Sequence, residues 1–181
     1  MRKLENSELN RLSISDYKNR KKTPVVVVLD NIRSANNVGS VFRTCDAFLV
    51  EAIHLCGITA KPPNRDIQKT AIGATQSVEW IHFNQTLDAV KKLQDEGYQV
   101  FAIEQCEGGT LLPAHHVAPD QKIAFIFGNE VTGVSQEVVN SCNGCIEIPQ
   151  WGTKHSFNVS VSAGIVLWDY TNKILHQRPK K

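Results

Sequence analysis

With 181 residues, 41% of them hydrophobic and 21% charged, the chain can bury one core and reads as a single globular domain, not a disordered or fibrous one. An apolar run such as Val25 to Leu29 is far too short to cross a bilayer, and polar Arg2 to Lys22 has no apolar stretch of a signal peptide, so a cytoplasmic protein without a membrane partner is expected. The net charge of +2 hides a division: residues 1–23 carry seven Lys/Arg against three acids, residues 172–181 four against none, and the middle nine against fifteen. Basic ends on an acidic body permit attraction to phosphate.

In chain order, residues 1–23 read as a basic N-terminal extension, in which Leu9, Leu12 and Tyr17 line one face of a short helix. Pro24 to Asp30 is a continuous β-branched run, the pattern of a strand buried on both faces of a parallel sheet. An Asn/Gly-rich turn leads into a helix from Val38 to Ala47, and Ala52 to Gly57 forms the next strand. A Pro-rich loop with Lys61 and Arg65 precedes a helix over Ile67 to Ala74, then a strand over Val78 to Phe83. A helix over Leu87 to Glu96, a Gly97 stop and a strand over Gln99 to Glu104 follow. Residues 105–121 read as loop, Ile123 to Gly128 as a buried strand, Ser135 to Ser141 as a helix and Cys145 to Ile148 as the last strand. A final helix spans Asn158 to Leu175, ahead of a basic tail over residues 176–181. Alternating strands and helices imply one α/β domain over residues 24–175, with a mostly parallel sheet flanked by helices.

Five cysteines at irregular spacing do not suggest a disulfide framework. Cys142 and Cys145 frame a CNGC turn without a second ligand pair, and the helix end beside them would raise a thiol pKa. No metal site is expected.

Three stretches carry chemistry. In Asn36 to Arg43, Asn37 suits a helix cap, Gly39 tolerates close backbone approach, and Arg43 can meet a phosphate bidentately. The glycine spacing is not GxGxxG, which counts against a dinucleotide-binding oxidoreductase. In Gly128 to Gly133, Gly128 admits a ligand to the backbone at a strand end, where the charge of Glu130 is costly unless used. In Ile148 to Gly164, Pro149 stops the strand, Gly152 bends the loop, and Ser156 or Asn158 caps the last helix. Small residues at Ser160, Ser162, Ala163 and Gly164 permit close helix packing.

Together NNVGSVFR, FGNEVTGV and IPQWGTKHSFNVSVSAG resemble the three motifs of the SpoU (TrmH-like) branch of the SPOUT RNA methyltransferases, over roughly residues 24–171. Asn37, Gly39 and Arg43 match motif one; Gly128, Glu130 and Gly133 match motif two. Ile148, Pro149, Gly152, Ser156, Asn158 and Ser160 match motif three, in which Phe157 replaces the usual leucine. The resemblance implies an α/β fold with a C-terminal trefoil knot, and a homodimer joined through the last helix with Val159, Ile165, Val166 and Trp168. It implies transfer of a methyl group from S-adenosylmethionine to a ribose 2′-hydroxyl of tRNA or rRNA. By the same resemblance, Ile103, Gly128, Ile148 and Phe157 meet the cofactor, and Arg43, Glu130, Ser156 and Asn158 form the catalytic group. RNA contacts are expected at Asn37, Arg43, Lys61, Arg65 and Lys154. The alternative is a catalytically inactive SPOUT-fold RNA-binding or assembly protein, against which intact Arg43, Glu130, Ser156 and Asn158 argue.

Overall fold

β1 (Thr23–Asp30) sends alternate side chains into two separate cores. Val25, Val27 and Leu29 pack on one face, and Val26 and Val28 on the other, all essentially inaccessible to water. β6 (Ile123–Phe127) repeats this, with Ile123, Phe125 and Phe127 on the first face and Ala124 and Ile126 on the second. Each such aliphatic side chain contributes about 1.5–3 kcal/mol by burial, so a run apolar at every position is stable only between two helical layers.

In a computed structural model of the chain, which describes residues 1–118 and 120–177 (Asn6 and residues 175–177 by backbone alone), that requirement is met. The remaining strands are β2 (Val50–Cys56), β3 (Glu79–Phe83), β4 (Gln99–Ile103), β5 (Thr110–Leu111) and β7 (Gly144–Glu147). With β1 and β6 they form one parallel sheet in the order β3-β2-β1-β6-β4-β7-β5. The helices are α1 (Ile14–Asn19), α2 (Ala35–Ala47), α3 (Arg65–Ala71), α4 (Thr86–Asp95), α5 (Gln136–Ser141) and α6 (Val159–Gln177). α2 and α6 cover the first face, where Val38, Val41, Phe42, Ala163 and Val166 join the core. α4 and α5 cover the second with Ala89, Val90, Leu93 and Val138. Strand order reverses beside β1, and every strand presents its carboxyl end to the same edge, which is where such sheets hold ligands.

The structure refines several expectations. Residues 105–121 contain β5, which pairs with β7 at the sheet edge; both its residues are exposed, so no apolar pattern marks it. The N-terminal segment is not wholly detached: Tyr17 on α1 is 4% exposed within the first core, whereas Leu9 and Leu12 face solvent. The basic tail reaches beyond the described residues at 178–181. Cys142 ends α5 with its thiol on the Val138 carbonyl, and Cys145 lies in β7 with its thiol on the Glu104 carbonyl. Burial pushes these thiols up to about 11 and about 12, so both behave as packed side chains. No helix among the described residues is long and apolar enough to cross a membrane.

Candidate functional site

Ser34, not Asn37, caps α2, its hydroxyl accepting from the Asn37 amide at 3.3 Å. Asn37 therefore lies in the first turn with its side chain free to bridge two distant segments. Its Nδ2 donates to Glu130 Oε1 at 3.1 Å, and its Oδ1 accepts from Asn158 Nδ2 at 3.1 Å. The Glu130 carboxylate also accepts from the backbone amides of Arg33 at 2.9 Å and Ser34 at 3.1 Å, at the amino end of α2. Asn158 caps α6 in turn, its Oδ1 accepting from the Ser160 amide at 2.9 Å and the Ser160 hydroxyl at 2.7 Å. One hydrogen-bonded chain thus joins all three sequence stretches. Burial pushes the Glu130 carboxyl up, but donation from Arg33, its own backbone, Asn37 and Ser34 outweighs that and leaves it below the ordinary carboxylate value. A charged acceptor at the helix amino end is also favoured by the helix dipole.

Residues 128–134 after β6 fold into a tight loop. Asn129 and Gly133 exchange backbone hydrogen bonds at 3.1 and 2.9 Å, and Asn129 Oδ1 accepts from Val131 and Thr132 amides. The Asn129 amide donates to the Asn31 carbonyl at 2.7 Å, locking the loop to the end of β1. A Cβ on Gly128 would lie 2.2 Å from the Gly133 carbonyl carbon and the Val134 nitrogen; Gly133 itself has φ +67°. Only glycine permits both the approach and the turn. Glu104, directly after β4, accepts from the Val134 amide at 3.0 Å and the Gln105 amide at 2.9 Å.

Between these loops, at the carboxyl ends of β4, β6 and β7, lies a cavity of about 820 Å³. Ile103, Phe127, Ile148 and Phe157 give it apolar walls, while Glu104, Glu107 and Glu130 line it with acids and, among the described residues, no lysine or arginine does. The loop after β7 is pinned across it where Gln105 Nε2 donates to the His155 carbonyl at 2.7 Å.

Of the residues expected to meet a cofactor, Ile103, Gly128, Ile148 and Phe157 all line this cavity. Glu130 and Ser156 line it too, and Asn158 is tied to it through Asn37. Arg43 is not brought there. It is exposed on α2, continuing the stripe of Asn36 and Ser40, and its side chain makes no hydrogen bond or ion pair among the described residues. Lys61, Arg65 and Lys154 are exposed, the first two near the carboxyl end of β2 and the third on the loop before α6. Gly39 serves packing: a Cβ there would meet Thr70 Oγ1 at 2.1 Å and the Ile67 carbonyl at 2.3 Å on α3. Gly164, expected to aid close packing, would point a Cβ into open space. On α6, Val159 and Val166 are buried in the chain's own core, whereas Val161 and Trp168 are exposed seven residues apart. Sequence reading missed Glu104, whose signal was an acid at a strand end, and the closing role of Asn129. Among the described residues no cluster of three or more His, Cys, Asp or Glu could hold a metal ion.

The model of the SpoU rRNA methylase family matches residues 24–168. The chain is 29% identical over 159 residues to the 23S rRNA (guanosine-2′-O-)-methyltransferase RlmB of Neisseria meningitidis, covering 87% of this chain and 62% of that one. It thus spans somewhat less than two thirds of that relative. It is 30% identical over 168 residues to the tRNA (guanosine(18)-2′-O)-methyltransferase of Thermus thermophilus, covering 91% and 83%. Among solved structures it resembles the A. aeolicus TrmH/SpoU tRNA modifying enzyme, with TM-score 0.78 and 24% identity over 89% of this chain and 80% of that one. It also resembles the SpoU methyltransferase AviRb of Streptomyces viridochromogenes in complex with AdoMet, with TM-score 0.76 and 20% identity over 90% and 62%.

Proposed function

This chain belongs to the SpoU rRNA methylase family, and we propose that it transfers a methyl group from S-adenosylmethionine to a ribose 2′-hydroxyl of tRNA or rRNA. The observation that carries this is the convergence of Gly128, Glu130, Ile148, Ser156 and Phe157 on one cavity, bound to the first motif through Asn37. The activities for which the rRNA and tRNA relatives are named support it.

The residues present fit the cofactor. A cavity of about 820 Å³ with apolar walls suits an adenosine and its amino-acid arm. Acids at Glu104, Glu107 and Glu130, with no lysine or arginine among the described residues lining it, favour a sulfonium cation and oppose a nucleoside polyphosphate. When bound, S-adenosylmethionine supplies a methyl group that is already electrophilic, so the protein's task is to position the hydroxyl and stabilise charge as it develops. Ile103, Ile148 and Phe157 would hold the nucleoside, and Ser156 would help to orient the target ribose. Glu130 and Asn158 act as positioning residues through Asn37. Arg43 serves as a fixed cation with a bidentate fork of donors, not as a base. It holds the phosphate beside the target ribose and stabilises the developing alkoxide. Lys61, Arg65 and Lys154 take further phosphates.

Arg43 stands off the cavity of its own chain, which supports completion of the site by a second copy. The exposed Val161 and Trp168 face of α6, beside α2, is the homodimer surface in this reading. The return of α6 from the cavity loop to pack on α2 and β6 supports a trefoil knot threaded by the C-terminal segment. In this reading the enzyme works in the cytoplasm, with residues 24–175 as its catalytic unit and basic ends adding grip on RNA. Calorimetry tests the cofactor site: S-adenosylmethionine binds once per chain, Phe157→Ala weakens it, and ATP does not compete. Absence of S-adenosylmethionine binding would overturn the reading.

A further inference from the structure

The loop between β7 and α6 carries one side chain that the proposed chemistry leaves unused. Trp151 is 93% exposed, although its neighbour Gln150 lines the cavity together with His155, Ser156 and Phe157. The loop is anchored on both sides of it, by Ile148 at 9% exposure and by the bond from Gln105 Nε2 to the His155 carbonyl at 2.7 Å. A large apolar ring held in water at the rim of a site is poised for a partner. Three residues on, Lys154 is exposed and has no hydrogen bond or ion pair among the described residues. A flat aromatic surface and an unpaired cation on one exposed loop are the combination that grips single-stranded nucleic acid: the ring takes a base and the cation takes phosphate.

We infer that Trp151 is a stacking platform for a nucleobase next to the methylated nucleotide, and that the substrate is therefore an unpaired RNA segment. Bases inside an A-form duplex already have both faces covered, so an indole can stack only on one splayed out of a loop, bulge or end. The nucleobase face is common to all four bases, so Trp151 selects strandedness and register rather than sequence. This rests on the methyl-transfer reading of the cavity, with Trp151 as a substrate-positioning residue outside the cofactor site.

The test uses the full chain with Trp151→Ala, Trp151→Leu and Trp151→Phe. Two probes serve: a mixed-sequence single-stranded RNA of about 12 nucleotides, and the same strand in a duplex. Single-stranded RNA should quench the wild-type tryptophan fluorescence, and Trp151→Phe should remove most of that quenching while Trp80 and Trp168 remain. Trp151→Ala and Trp151→Leu should weaken single-strand binding, and raise KM for RNA, about tenfold, whereas Trp151→Phe should change it less than about threefold. Affinity for S-adenosylmethionine and turnover at saturating RNA should be unaltered. Three outcomes would overturn the inference: no quenching, equal binding of duplex, or alanine and leucine variants that match the wild type. Loss of the wild-type oligomeric mass in Trp151→Ala would also overturn it, by assigning the ring to a second copy of the chain. RNA binding with the expected Trp151 dependence but no binding of S-adenosylmethionine would sink the methyl-transfer reading alone.

Discussion

Substituting Gly128 by alanine places a methyl group 2.2 Å from two backbone atoms of the neighbouring strand of the loop, and 2.5 Å from the Gly133 carbonyl oxygen. None of these is a side-chain end that can rotate away, so the loop must part by about 1 Å to restore ordinary contact. Three hydrogen bonds stand across that gap. The two between Asn129 and Gly133, at 3.1 and 2.9 Å, contribute about 1 kcal/mol each. The Val134 amide on the Glu104 carboxylate, at 3.0 Å, contributes about 2 kcal/mol because its acceptor is charged. Losing all three costs about 4 kcal/mol, and at about 2–4 °C per kcal/mol for a chain of this size the melting temperature falls by roughly 10 °C. Gly152→Ala is the matched control, because nothing lies within 4 Å of the added Cβ; its effect stays within about 0.5 kcal/mol. Thermal melts by circular dichroism and calorimetry read both variants. A Gly128→Ala protein that melts within about 2 °C of the wild type would refute the packing argument.

Three more outcomes follow. The Glu130 carboxyl is held below its ordinary value, so the stability it supplies is complete above the unfolded carboxylate range and disappears as pH falls through the folded value. Glu130→Gln should therefore cost about 1–2 kcal/mol at pH 7, after allowance for solvent screening, and progressively less as pH falls through the folded value; a cost independent of pH would exclude the charged-acceptor role. His54 is buried, and burial lowers its pKa to about 4, so the fold binds it neutral while the unfolded chain protonates it near pH 6.5. Stability is lost as pH falls from about 6.5 to about 4, by up to about 3 kcal/mol, and an NMR titration in which the His54 ring responds near pH 6.5 would contradict this. Gly39→Ala drives a Cβ against the Ile67 carbonyl at 2.3 Å, so α2 and α3 must separate. A loss of about 1–3 kcal/mol in urea melts is expected, and a neutral result would show that α3 yields.

The sheet was legible because its central strands are apolar at every position: Val25 to Leu29 and Ile123 to Phe127 can be buried on two faces and in no other way. β5 was not, because Thr110 and Leu111 are exposed and owe their conformation to pairing with β7 alone. Within the site, residue types were readable and partners were not. Asn37 reads as a cap from its place before an apolar helix, yet Ser34 supplies the cap, and Asn37 bonds to residues 93 and 121 positions away. Local pattern carries no record of contacts that distant. Gly39 shows the same limit, since a small residue near a motif suggests room for a ligand, whereas the space is filled by α3. Arg43 could be read for its residue type but not for its position, because the helix pattern does not tell that α2 leaves it exposed and off the lining of the cavity.

Ribose methylation by this cavity is read out by a transfer assay. Labelled S-adenosylmethionine, undermodified total RNA and the purified protein are combined beside an Arg43→Ala variant, and digested products are mapped to nucleotides. Label in a 2′-O-methyl nucleoside, lost in the variant, is the predicted result. S-adenosylmethionine binding without label on any RNA, or label on a base, would contradict it.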